Sequence, residues 1–177
     1  MAQQAINEAL VAHARAGKFV VRLKGGDPYV FGRGKEEAEA LAEAGIPVTV
    51  VPGVTSAISV PSAEGIPVTH RGVAHEFTVV SGHVAPDDPR SLVDWAALAA
   101  LRGTLVLLMA VEQMPAIAGT LIRHGRPAST PVAVVQEGTT AAQRRVDATL
   151  GTVASRIAEE GVRPPAVVVV GDVVTVG

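Results

Sequence analysis

The chain contains no cysteine, which excludes a disulfide framework and any thiolate metal site. Aromatic residues are scarce, with one Trp, one Tyr and three Phe in 177 residues, so base-stacking platforms for single-stranded nucleic acid are excluded as well. Neither sign of charge dominates. A net charge of −2 leaves no broad basic footprint for DNA or RNA. There is no apolar run of transmembrane length and no charged-then-apolar signal pattern. A cytoplasmic protein without nucleic-acid or membrane partners is therefore expected. Short-period repeats and low-complexity tracts are lacking too. His75, His83 and His124 lack metal-ligand spacing with any carboxylate pair, so no metal is expected. Ser81-Gly82-His83 does not form the Gly-x-Ser-x-Gly elbow of a serine hydrolase.

What the chain does have is apolar material, 48% of its residues, arranged as alternating helical and β patterns. Helices are expected over residues 3–16, 35–44, 55–63, 94–100, 115–124 and 152–160. Strands are expected over 19–23, 48–51, 77–81, 104–109, 132–136, 144–150 and 166–174. The strand runs are continuous in Val, Leu and Ile, the pattern of strands covered on both faces. Two successive strands around 137–143 imply antiparallel pairing, so the sheet is expected to be mixed. The likeliest division lies in 69–76, giving a smaller α/β lobe (1–72) and a fuller α/β lobe (73–177). The first lobe holds only two apolar strands, too few to cover one another. Something upstream is expected to be missing.

The stretch of greatest chemical content runs from Val20 to Gly34. Four glycines, Gly25, Gly26, Gly32 and Gly34, and Pro28 fall within ten residues, among Lys24, Asp27 and Arg33. An ordinary turn needs one or two glycines. Such a loop at the carboxyl end of a strand lets backbone approach a ligand closely, where open α/β sheets bind ligands. Three other strand ends resemble it: Pro52-Gly53-Val54-Thr55-Ser56, Met109-Ala110 and Glu137-Gly138-Thr139. Each alone reads equally as a cap, a core methionine or a hairpin loop. Thr69-His70-Arg71 offers a hydroxyl, a titratable ring and a fixed cation that could grip carboxylates. It reads equally as an interdomain linker.

Leu23-Lys24-Gly25-Gly26-Asp27-Pro28-Tyr29-Val30-Phe31-Gly32-Arg33-Gly34 resembles the signature of the tetrapyrrole methylases. Further stretches agree in the same order: Val50 to Ser56, Gly65-Ile66-Pro67-Val68-Thr69-His70-Arg71, Thr78 to His83, Leu105 to Met109, Glu137-Gly138-Thr139 and Pro165 to Val174. The resemblance covers essentially the whole chain, and within the family it points to members that methylate uroporphyrinogen III. It implies a two-lobed α/β fold with mixed sheets, the first lobe incomplete, and S-adenosylmethionine as methyl donor. Carried over by motif, the cofactor residues are Gly25, Gly26, Asp27, Val30, Thr55, Ser56, Met109 and Gly138. For a substrate rich in carboxylates, Thr69, His70 and Arg71 are the candidate contacts on their chemistry, with Arg22, Arg33 and Lys35 as further cationic candidates. The implied reaction places methyl groups at C2 and C7 of uroporphyrinogen III to give precorrin-2, for sirohaem and cobalamin synthesis. A homodimer is implied as well.

Two residues depart from the pattern: Ser56 replaces the usual Ala, and Glu137 sits where Asn is common. The larger departure is at the start, where the family's opening strand and Gly-x-Gly-Pro-Gly-Asp-Pro loop are absent. An N-terminally truncated member with weak or no turnover is expected, and no general acid or base is assigned. Two other readings stay open. One is a sister enzyme acting elsewhere on a corrin ring or on a protein, as diphthine synthase does. The other is a non-catalytic fragment that binds S-adenosylmethionine.

Overall fold

The computed structural model describes residues 2–176. They form two compact units, one through Thr55 and one from Ser56, and each is described by itself.

The first unit carries two helices, α1 (Gln3–Arg15) and α2 (Gly34–Glu43). α2 begins where Arg33 turns left-handed (φ 55°) and has Glu36 and Glu37 in its first turn, where carboxylates complement the helix dipole. It ends at Ala44-Gly45, with the Ile46 N–H returning to the Leu41 carbonyl (2.9 Å). That bond satisfies a carbonyl the helix itself leaves open. The strands expected at 19–23 and 48–51 are not found: neither run joins a ladder among the described residues. A strand exists only through hydrogen bonds to a neighbour, and apolarity marks a run as buriable without supplying that neighbour. Phe19, Leu23 and Val51 accordingly stand 96%, 84% and 75% exposed.

The second unit is built on a five-stranded mixed sheet in the order β1-β2-β5-β3-β4. Its strands are β1 (Phe77–Ser81), β2 (Thr104–Leu108), β3 (Pro131–Gln136), β4 (Arg144–Thr149) and β5 (Ala166–Val170). β1 and β2 are parallel, and the other pairings are antiparallel. The expected mixed sheet is thus present, and the central strands are covered on both faces as their continuous apolar runs predicted. On one face Leu105, Leu107, Val132, Val134, Val168 and Val170 pack with α4 (Trp95–Ala100), α5 (Met114–Arg123) and α6 (Val153–Glu159). On the other, Val106, Leu108, Val135 and Val167 pack with Ala57 and Val60 of α3 (Ser56–Ala63). The alternation along β2 is the period of a pleated strand whose two faces both meet helices.

Two expected strands stop early, each for a backbone reason. β2 ends at Leu108 because Met109 turns left-handed (φ 55°), and β5 ends at Val170 because Gly171 takes φ 145° and starts the 3-10 turn Asp172–Thr175. Among the described residues, no helix is long and apolar enough to cross a membrane.

Candidate functional site

In the first unit the glycine-rich loop is shaped by its own chain. A Cβ on Gly32 or Gly34 would lie 2.7 or 2.6 Å from the Pro28 carbonyl oxygen, which itself accepts the Gly34 N–H at 2.9 Å. Those two glycines answer to packing. Gly25 does not: a Cβ there would meet nothing within 4 Å, and its φ lies outside the left-handed region. Nothing in the protein itself demands a glycine at position 25.

The Asp27 carboxylate bridges two segments of this unit. One carboxylate oxygen accepts the Tyr29 N–H (2.8 Å) and the other accepts the Gly53 N–H (3.1 Å). These two backbone donors, Tyr29 foremost, hold its carboxyl below the usual carboxylate range. Val30 is half-exposed beside them.

Lys24, at the loop's start, reaches α2. Its Nζ donates to both oxygens of Glu37 (3.1 and 3.0 Å), and Oε1 also accepts Arg22 Nε and Gln3 Nε2 at 3.2 Å each. Glu37 is only 4% exposed. Burial pushes its carboxyl up, and the hydrogen bonds from Lys24, Gln3 and Arg22 outweigh this to leave it below its ordinary value. Sequence reading missed Glu37 and the bond from Gly53 to Asp27. No local spacing ties position 24 to 37 or 27 to 53, and only the folded chain brings them together.

In the second unit the register places Ser81, Leu108, Val167, Gln136 and Arg144 along one end of the sheet. The carboxyl ends of β1, β2 and β3 therefore open on the same side, and the candidates Met109 and Gly138 follow β2 and β3 there. Met109 is left-handed and 49% exposed. Glu137 and Thr139, on either side of Gly138, are left-handed too (φ 52° and 68°). Such conformations cost non-glycine residues of order 1–3 kcal/mol each and gather at ligand sites. Gly138 packs on α3, where an added Cβ would come within 2.5 Å of Val60. The Gln143 side chain braces this loop, accepting the Thr139 N–H and donating to Glu64.

Thr55 closes the first unit and Ser56 opens α3. Thr69-His70-Arg71 forms an exposed turn in which the His70 N–H donates to the Ala74 carbonyl and the Ala74 N–H returns to His70 (2.9 and 3.0 Å). Arg22 is committed to Glu37, Arg33 to Glu36 and Lys35 to Glu39. Among the described residues Arg71 is in no ion pair. No cluster of three or more His, Asp or Glu among the described residues is placed to hold a metal ion.

A doubly covered mixed sheet whose parallel strand ends converge on strained polar loops defines an α/β protein of the ligand-binding kind. Its relatives are specific. The family model for tetrapyrrole (corrin/porphyrin) methylases matches residues 1–154, and the chain belongs to that family. It is 52% identical over 174 residues to an S-adenosyl-L-methionine-dependent uroporphyrinogen III methyltransferase of Methanosarcina barkeri, covering 98% of this chain and 68% of that protein. The crystal structure of uroporphyrin-III C-methyltransferase from Thermus thermophilus, complexed with S-adenosylhomocysteine, is similar with a TM-score of 0.83. That likeness is at 47% identity and covers 99% of this chain and 75% of the other. A cobalt precorrin-4 methyltransferase shares the fold alone, at TM-score 0.87 and 23% identity over 98% of this chain and 72% of that one.

Proposed function

We propose that this chain is an S-adenosylmethionine-dependent methyltransferase that methylates uroporphyrinogen III at C2 and C7, giving precorrin-2. The likeness to uroporphyrinogen III methyltransferases over nearly its whole length carries the reading. It favours that substrate over a corrin ring, because the likeness to the cobalt precorrin-4 enzyme extends to the fold alone.

The residues present fit the cofactor. Gly25 exposes backbone with open space where a side chain would stand, which supports it, with Gly26, Asp27 and Val30, as one wall of the cofactor site. Met109 and Gly138, with Thr55 and Ser56, are the further cofactor contacts in this reading. The strain at Met109 supports its part, since αL backbone in a half-exposed methionine serves no packing need. When bound, S-adenosylmethionine supplies a sulfonium-borne methyl group for an electron-rich ring carbon. Most of the chain's task is to hold donor and acceptor in attack geometry. The acceptor carries a ring of carboxylates, and Arg71, assisted by Thr69 and His70, meets them in this reading. Guanidinium binds carboxylate in a bidentate fork, and among the described residues Arg71 is in no ion pair. A homodimer would cover the exposed apolar runs around Phe19 and Val51, which sedimentation can test.

The deciding experiment is calorimetric titration of the purified chain with S-adenosylhomocysteine, then incubation with S-adenosylmethionine and uroporphyrinogen III under mass detection. Binding near one per chain with gain of two methyl groups would bear the reading out. Binding without methyl gain would make this a binding fragment. Methyl gain only on a corrin ring or a protein substrate would reassign the acceptor.

A further inference from the structure

The Asp27 carboxylate spans two segments far apart in sequence, and its geometry differs from that of a side chain offered to a ligand. Its two oxygens each hold a backbone N–H, one of Tyr29 in its own loop and one of Gly53, after the 48–51 run. Where the segments meet, the backbones are nearly in contact. A Cβ on Gly53 would lie 2.2 Å from the Gly26 carbonyl oxygen, 2.9 Å from its carbon and 3.4 Å from the Asp27 nitrogen. No side chain fits in that gap. Pro28 fixes the chain direction immediately after the carboxylate. The close approach needs a glycine, and the carboxylate supplies the bonds that hold it.

We propose that Asp27 is a positioning residue, a clamp whose carboxylate locks the Pro52-Gly53 segment against Gly26 and so sets the shape of the cofactor loop. This rests on the reading of that loop as the cofactor site. In this role Asp27 borders the cofactor site through its backbone, and its side chain does not touch the cofactor. It acts through the backbone of Gly26 and Gly53. An asparagine could accept only one of the two N–H groups, since its NH2 is a donor.

The test has one arm without ligand and one with it. Amide hydrogen exchange in the unliganded chain should show the Gly53 and Tyr29 N–H groups losing protection in Asp27→Ala, with circular dichroism unchanged. Unchanged protection of Gly53 would overturn the clamp whether or not the chain binds cofactor. In calorimetry, Asp27→Asn should weaken S-adenosylhomocysteine and S-adenosylmethionine alike, by about tenfold. A side chain touching the sulfonium would instead weaken S-adenosylmethionine selectively, and that outcome would also overturn the proposal. Gly53→Ala must separate the segments by itself, so adding Asp27→Asn to it should cost less than about twofold more. Full additivity would refute the clamp. Should Gly53→Ala fail to fold, the comparison of the two ligands on Asp27→Asn still decides. A wild-type chain that binds neither ligand would sink the cofactor reading, while the exchange arm would still judge the clamp.

Discussion

Replacing Glu37 by glutamine keeps the side-chain shape and removes one charge from the buried junction of α1, α2 and the glycine-rich loop. Four donated hydrogen bonds converge on this carboxylate, two from Lys24 and one each from Arg22 and Gln3. A glutamine amide has one oxygen for them, and its NH2 would face cationic donors. Breaking a buried ion pair from one side costs about 3–5 kcal/mol. Here the Lys24 side chain is 11% exposed and that of Arg22 40% exposed, so water takes up part of the loss. About 2–3 kcal/mol is expected. With a urea slope of about 1–3 kcal/mol per molar, the midpoint should fall by about 0.7–3 M when unfolding is followed by circular dichroism. Glu36→Gln is the control: the same charge change one residue away, on a half-exposed side chain paired with Arg33, should move the midpoint little.

The pH dependence of Glu37 follows with a definite sign. Its folded-state carboxyl lies below the ordinary 4.5, so its stabilisation is present above the unfolded value and is lost as pH falls through the folded one. The gap between wild type and Glu37→Gln should therefore be full at neutral pH and close in acid. Equal midpoints for Glu37→Gln and Glu36→Gln at neutral pH, or a gap independent of pH, would refute the reasoning.

The other predictions concern separate parts of the chain. Gly25→Ala should leave thermal stability unchanged, because its Cβ meets nothing, yet weaken S-adenosylhomocysteine by at least about tenfold by filling the ligand's space; unchanged calorimetric affinity would count against the cofactor wall. Gly138→Ala should destabilise by about 1–3 kcal/mol through overpacking against Val60, and Val60→Ala should recover part of that in the double variant. Arg126 is buried, with its guanidinium donating to the Gly103 carbonyl at 2.9 Å and to those of Leu98 and Leu101 at 3.4 and 3.5 Å. Arg126→Met should cost about 2–3 kcal/mol, visible as a lower melting temperature of the unit that holds Trp95. Arg71→Glu should raise KM for uroporphyrinogen III by about tenfold while leaving S-adenosylhomocysteine affinity alone; a loss of cofactor affinity would place Arg71 in the other half of the site.

Much of the second unit was legible because its elements declare themselves locally. β2, β3 and β5 are continuous apolar runs of strand length, and α5 carries Pro115 in its first turn and Gly125 just past its end. The runs at 19–23 and 48–51 look the same in sequence and are not strands, since nothing among the described residues offers them a ladder. Candidate ligand residues could be named by motif, yet their division of labour could not. Gly25, Gly32 and Gly34 are identical letters within one loop. Only the position of the Pro28 carbonyl separates the two that serve packing from the one that does not.

The sequence by itself determined the class of sheet, the order of elements in the second unit and the family, because these follow from periodicity, turn residues and an ordered set of motifs. Only the tertiary structure decided that Glu37 gathers Lys24, Arg22 and Gln3, that Asp27 holds Gly53, and that Met109 and Gly138 leave the same end of the sheet. Such pairings join residues remote along the chain. Their energies depend on distance, burial and donor direction, quantities that exist only once the backbone has been placed.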